Sequence, residues 1–207
     1  MLLAHNQSDG QLNILWNGAV RMKRFVIMTV GKTHSGKTTF AKALEKQLYN
    51  SLMIDQDNHA EFINTNYKTL LPKQGPNTIK YAITQTIVDY AVNQTDFHLI
   101  LCNSNRSRKD RLDLLAHFRT NGFTSILVDF DVPDDVLWAR VTESQRSTTV
   151  IRSASTFKEV LIRQQAELHN ADVTAPIDGE ADHLFVVRDT QDVQSIMRGI
   201  VKLAQSI

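Results

Sequence analysis

The feature that most constrains this chain is an apolar run that breaks. RFVIMTV, Arg24 to Val30, has the length and composition of a buried strand, and it runs straight into GKTHSGKT, Gly31 to Thr38, before helical spacing resumes toward Leu48. A strand feeding directly into a packed helix needs only a short turn. Here two glycines bracket a polar loop ending in a lysine. The spacing is G-x-x-x-x-G-K-T between a strand and a helix, the context in which it forms a phosphate cradle. Loop N–H groups would wrap a β-phosphate, helped by the N-terminal dipole of the helix that starts near Gly36. Lys37, expected to be solvent-exposed before phosphates arrive, would bridge β- and γ-phosphate oxygens, and Thr38 would offer its hydroxyl to Mg²⁺. The nucleotide-binding residues expected from the loop are Gly31, Thr33, His34, Ser35, Gly36, Lys37, Thr38 and Thr39.

Beyond the loop the chain alternates between two periods. Phe25 to Val30, Leu52 to Ile54, Phe97 to Cys102, Ser125 to Phe130 and His183 to Val187 read as buried strands. Ile79, Ile83, Ile87 and Tyr90 share one helical face, with Asn77 placed to cap its start. Leu112, Leu115 and Phe118 form a second stripe that stops at Asn121-Gly122. Pro133 with Asp134 and Asp135 opens a third helix, and Val193, Met197 and Ile200 mark the last. Such alternation predicts an α/β fold, a parallel sheet covered on both faces.

A length of 207 residues with 42% hydrophobic content suits one domain, assigned to residues 22–207. Residues 1–21 read as an N-terminal arm, with Met22 as the natural start because MKRFVIMTVGK then begins directly with the first strand. A net charge of +1 argues against a surface dominated by polyanion binding. The single cysteine, Cys102, fits a reducing compartment, and no apolar run nears the roughly 20 residues that span a bilayer. The expectation is a cytoplasmic protein with no membrane partner, monomeric or homodimeric.

Three further stretches carry chemistry. LMIDQDNH places Asp55 and Asp57 at a strand's carboxyl end, where functional groups gather in parallel sheets. Either could accept a hydroxyl proton or position Mg²⁺ through water, and either could cap the helix starting near Asn58. LILCNSNRSRKDR ends a strand at Asn103 and continues into Arg106, Arg108, Lys109 and Arg111, a solvated helix face or a contact for an anionic acceptor. Between a helix ending near Thr142 and another starting near Ser155, Arg146 and Arg152 stand either as lid arginines that close on phosphates or as surface residues of a loop.

Together GKTHSGKTT, IDQD, LCNSNRS and DVPDDVLWARVTESQR resemble the P-loop kinases that include polynucleotide 5′-hydroxyl kinases and zeta-toxin-like small kinases. The resemblance covers about Arg24 to Arg163. It implies a three-layer P-loop fold with a five-stranded parallel sheet in the order 2-3-1-4-5, a helical lid, and ATP and Mg²⁺ as cofactors. It makes Asp57 the general base with Asp55 beside it, Arg146 the lid arginine with Arg152 in reserve, and Asn103, Asn105 and Arg106 the acceptor contacts. Two positions depart from the polynucleotide kinase pattern. Ala60 stands where that pattern has an arginine, and Asn103 where it has an aspartate. The implied activity is phosphoryl transfer from ATP to a hydroxyl of a small-molecule or nucleotide-like acceptor, with a nucleic-acid 5′-kinase and a regulatory ATPase as the alternatives.

Overall fold

Apolar residues alternating across two covered faces make the strands, and a computed structural model describes residues 23–151, 154–167 and 170–205. The expected arm, residues 1–21, and Arg152 lie outside the described residues. The strands are Arg24–Val30 (β1), Ser51–Ile54 (β2), His98–Leu101 (β3), Phe123–Phe130 (β4) and His183–Val187 (β5). The helices among the described residues are Lys37–Gln47 (α1), Gln56–Asn66 (α2), Thr78–Gln94 (α3), Arg108–Thr120 (α4), Asp134–Glu143 (α5), Phe157–Ala166 (α6) and Thr190–Gln205 (α7). Short 3₁₀ turns cover Lys68–Leu70 and Thr148–Val150.

All strand pairings are parallel, in the order β2-β3-β1-β4-β5, as the resemblance implies. β1 lies at the centre, with Val26 opposite Leu99 on one side and Ser125 on the other. Its side chains alternate between two cores. Phe25 and Ile27 pack with residues of α1, α5, α6 and α7, whereas Val26, Met28 and Val30 pack with residues of α3 and α4. β4 begins two residues before the expected Ser125, because Phe123 is itself buried and pairs with Arg24.

α3 is rotated from its expected face. Thr84, Val88, Ala91 and Val92 are buried, whereas Tyr90, expected in the stripe, is 66% exposed. A threonine is tolerated in the seam because its hydroxyl donates to Lys80 O at 2.9 Å and meets His59 Nδ1 at 2.7 Å.

The basic run after β3 divides: Arg108 and Lys109 lie on the exposed face of α4, whereas Arg106 and Arg111 are buried. Arg111 is fully buried, with Nε donating to Glu180 Oε2 at 2.8 Å and Nη1 to Asn105 O at 3.0 Å. Arg108 reaches the other oxygen of Glu180 at 3.0 Å. These ion pairs fasten the segment before β5 onto α4, helped by hydrogen bonds between Asp172 and residues 107–109. Arg24 plays a similar part across the sheet, donating to Val92 O at 2.9 Å and Thr95 O at 2.8 Å at the carboxyl end of α3, where a cation complements the helix dipole.

Arg111→Ala leaves Glu180 buried with less compensation and should lower unfolding free energy by about 3–5 kcal/mol in urea denaturation. Arg108→Ala removes a half-exposed partner and should cost about 1 kcal/mol or less. Equal, small losses would contradict the role assigned to Arg111.

Candidate functional site

The loop between β1 and α1 follows from glycine's freedom at two points. Gly31 has φ +144°, and a Cβ there would meet Phe130 Cβ at 3.0 Å and Ser35 Oγ at 3.1 Å. Gly36 has φ +103° and leads directly into Lys37, the first residue of α1. Between them His34 also turns left-handed, with φ +59°. Ser35 Oγ donates to Lys32 O at 2.9 Å and closes the loop on itself. The loop is joined to the neighbouring strand end by Gly31 N donating to Ser104 O at 3.0 Å.

Lys37 differs from its expected exposed position. It is half-buried, with Nζ donating to Lys32 O at 2.5 Å and to Ser35 Oγ at 3.2 Å. Burial, the main cause, pulls its pKa from the ordinary lysine value down to about 8. His34 is held below the ordinary histidine range by burial and then by the Arg146, Lys37 and Arg140 charges. Its ring is therefore a neutral hydrogen-bonding link, with Nε2 2.8 Å from Ser144 Oγ and Nδ1 3.0 Å from Thr33 Oγ1. Thr38 has its hydroxyl 3.5 Å from Cys102 Sγ, and burial raises the Cys102 thiol to about 11. That cysteine stays protonated and has no nucleophilic character.

The two aspartates of IDQD separate. Asp55 is buried and caps α2, its carboxylate accepting Asp57 N at 2.9 Å; burial raises its pKa. Asp57, in the first turn of α2, projects into the open, and its Oδ2 accepts from Arg146 Nη2 at 2.6 Å. Arg146 also lies 5.0 Å from the centroid of Phe157. The segment between α5 and α6, expected from the sequence to act as a lid, touches α2 again where Asn64 Nδ2 donates to Thr149 O.

Of the three expected acceptor contacts, Asn103 lines the cavity and accepts Gln56 N through Oδ1 at 3.3 Å. Asn105 and Arg106 do other work. Asn105, left-handed with φ +45°, donates through Nδ2 to Thr29 O, stitching the loop to β1. Arg106 donates to Glu167 Oε2 at 2.9 Å and to Gln164 O at 2.7 Å, a pairing that turns its guanidinium toward the end of α6.

One cavity of about 1190 Å³ joins the loop, the strand ends and the lid. Thr33 to Thr39, Asp57, Asn103 and Arg146 line it together. It also takes in residues that sequence reasoning missed. Arg140 stands on α5 three residues after buried Leu137 and donates to His34 O at 3.3 Å, so helical spacing from the apolar stripe could have found it. Gln164 on α6 accepts Thr33 N at 2.7 Å. Val187, Asp189, Thr190 and Val193, around the end of β5 and the start of α7, also line it, as do Lys73, Asn77, Lys80 and Tyr81, before and within the start of α3. No local pattern marks these last two groups.

The residues present suit Mg²⁺. Among the described residues no group of three or more His, Cys, Asp or Glu could hold a metal ion. Mg²⁺ commonly relies on one or two protein oxygens, substrate phosphates and water instead, and Thr38 Oγ1 beside the loop supplies such an oxygen.

A family model described as AAA domain matches residues 26–170, more than half of the chain. No curated protein matches the sequence. Among solved structures, a candidate kinase from Chloroflexus aurantiacus is similar at 18% identity with a TM-score of 0.60, covering 88% of this chain and 97% of that one. Kti12 of Chaetomium thermophilum, solved with ADP-AlF3, is 15% identical over 86% of this chain and 97% of its own, with a TM-score of 0.58. The APS kinase CysC of Mycobacterium tuberculosis, solved with AMPPNP and APS, is 14% identical over 89% and 99%, with a TM-score of 0.55. At such identities the likeness establishes a P-loop kinase-like fold. Among the described residues no helix is long and apolar enough to cross a membrane.

The position of Lys37 sets a pH dependence. Phosphate oxygens bind the ammonium and not the amine, so nucleotide affinity should be greatest below about pH 8 and fall as pH rises, by about tenfold per unit at the limit. Lys37→Arg keeps its charge and should flatten that slope. Titration with a fluorescent ATP derivative from about pH 7 to about pH 9.5 reads both.

Proposed function

We propose, because this chain belongs to the AAA domain family, that it is an ATP-dependent kinase that transfers the γ-phosphoryl group to a hydroxyl of a small-molecule acceptor. One observation carries the reading: Asp57 and Arg146, bonded to each other at 2.6 Å, line the same cavity as the phosphate loop. A proton acceptor, a mobile cation and a phosphate cradle are the parts that phosphoryl transfer requires. The resemblance of IDQD and the lid to polynucleotide 5′-kinases and zeta-toxin-like kinases supports the same roles.

The loop N–H groups and Lys37 hold the β- and γ-phosphates in line with the acceptor. Thr38 Oγ1 would help hold Mg²⁺, which when bound would supply charge neutralisation at the phosphates. Asp57 takes the proton of the acceptor hydroxyl as the new P–O bond forms and the bond to the β-phosphate oxygen of ADP breaks. Arg146 exchanges the Asp57 carboxylate for the γ-phosphate, which frees the base as it places positive charge on the group in transit. Because Arg146 is about a third exposed and held by one ion pair, that exchange is inexpensive. Asp55 acts through α2, whose first turn it caps and thereby aims Asp57. Asn103 steadies the same turn through Gln56 N. Arg152 remains a reserve lid arginine by sequence.

Acceptor-dependent ADP formation across a panel of hydroxyl compounds tests the reading. Asp57→Asn should retain ATP affinity and lose transfer by about 10²–10⁴-fold, the range of general-base catalysis. Arg146→Ala should lower turnover more than it weakens ATP binding, because its charge counts most in the transition state. If Asp55→Asn is crippling and Asp57→Asn is silent, the roles of the two carboxylates are reversed. ADP formation that no hydroxyl compound accelerates would identify a regulatory ATPase instead.

A further inference from the structure

The cavity is far more cationic than the chain that surrounds it. Among its described lining residues are Lys37, Lys73, Lys80, Arg140, Arg146 and Arg163, against the carboxylates Asp57 and Asp189. The whole chain carries a formal charge of +1. Lys37 belongs to the phosphate loop, and Arg140 and Arg146 touch the loop or the base beside it. Lys73 and Lys80, before and within the start of α3, line the same cavity, and among the described residues neither forms an ion pair. The hydrogen bonds of Lys80 run within α3 and to its cap, and not to the phosphate loop.

Their position is tied to the base. Thr84 Oγ1 spends its one hydrogen on Lys80 O, at 2.9 Å, so it must accept from the Nδ1–H of His59 at 2.7 Å. Burial and then the nearby Lys80 charge hold His59 below the ordinary histidine range, and its Nδ1–H can donate to Thr84 in either protonation state. His59 lies two residues after Asp57 on α2, so this chain of bonds locks the turn bearing Lys80 to the turn bearing the base. Lys80 Nζ sits 4.8 Å from the centroid of Tyr81, which is 49% exposed and holds the ammonium in place without neutralising it.

We infer that the acceptor is a small hydroxyl compound that itself bears a phosphate group, with that group bound by Lys73 and Lys80 while its hydroxyl faces Asp57. The inference rests on the kinase reading above and specifies its substrate class. Two ammonium groups lining one cavity suit a dianionic phosphate, which accepts several charge-assisted hydrogen bonds at once. A neutral sugar or alcohol would offer neither lysine an anionic partner. The step balances as ordinary transfer: the acceptor oxygen bonds to the γ-phosphorus, ADP leaves, and Asp57 takes the proton.

The test uses the full chain with MgATP and paired probes, glycerol against glycerol 3-phosphate and glucose against glucose 6-phosphate, with a 5′-hydroxyl oligonucleotide alongside. Phosphorylated members should stimulate ADP formation at least about tenfold more than their neutral counterparts, the worth of one charge-assisted bond. The Lys73→Ala/Lys80→Ala double variant should raise KM for the phosphorylated probe by about 10- to 100-fold, with kcat changed much less. Lys73→Arg/Lys80→Arg should recover most of that loss, which a fold defect would not. Equal turnover of neutral and phosphorylated members, activity confined to the oligonucleotide, or no stimulation by any probe while fluorescent ATP still binds overturns the inference. A wild-type chain that fails to bind ATP sinks the kinase reading itself.

Discussion

Pairing of β1 on both edges is the constraint on which everything else depends. Seven consecutive residues of β1 are in register with β4, while Val26, Ile27 and Met28 pair with β3. Because all these strands are parallel, the loops leaving β1, β2, β3 and β4 emerge at one edge. Asp55, Asn103 and the phosphate loop meet there although up to 72 positions separate them in the chain. The edge is bonded as well as adjacent: Gly31 N reaches Ser104 O, Thr29 Oγ1 reaches Asn103 O at 3.1 Å, and Asn105 Nδ2 reaches back to Thr29 O. A Cβ at Gly31 would come within 3.0 Å of Phe130 Cβ at a φ of +144°, so glycine lets the loop lie this close to β4 without strain.

Two populations of cations follow from this geometry. Arg24, Arg106 and Arg111 are buried or nearly so, and each is matched by carbonyl oxygens or a carboxylate that its fold brings near. Burial without such partners would be prohibitive. Of the cations that line the cavity, Lys73 and Lys80 form no ion pair among the described residues. Arg146 stands between the groups, holding Asp57 through an exposed pair that is weak enough to exchange.

The helices on either side of the segment between α5 and α6 both bond to the phosphate loop. His34 meets Ser144 at the end of α5 and packs edge-on against Phe157 at the start of α6, with ring centroids 4.8 Å apart. Gln164 bonds Thr33 N, and Arg140 bonds His34 O. Both helices that flank this segment are thus fastened to the loop, and among the described residues the segment meets α2 through the bonds of Arg146 to Asp57, Asn64 to Thr149 O and Thr149 Oγ1 to Glu61. Val150 and Ile151 of the same segment pack against the hydrophobic core that holds residues of α1, α5, α6 and α7.

The sequence by itself determined the phosphate loop, the strand-and-helix alternation and the candidate carboxylates, because each depends on local rules: glycine's φ, period-2 and period-3.6 burial, and strand ends followed by polar residues. The strand order was legible through the family resemblance and not from the pattern of strands. Tertiary structure alone decided between Asp55 and Asp57 as the α2 cap, since both sit within one turn of the helix start and only the chain's path buries one of them. It also decided that Arg106 and Arg111 serve the fold, because Glu167 and Glu180, their partners, lie 61 and 69 positions away. Lys73 and Lys80 acquired their place in the cavity in the same way. Their neighbours in the chain carry no signal; the packing of α3 on α2, fastened by the bond between His59 and Thr84, brings Lys80 to the cavity, and the segment that precedes α3 brings Lys73.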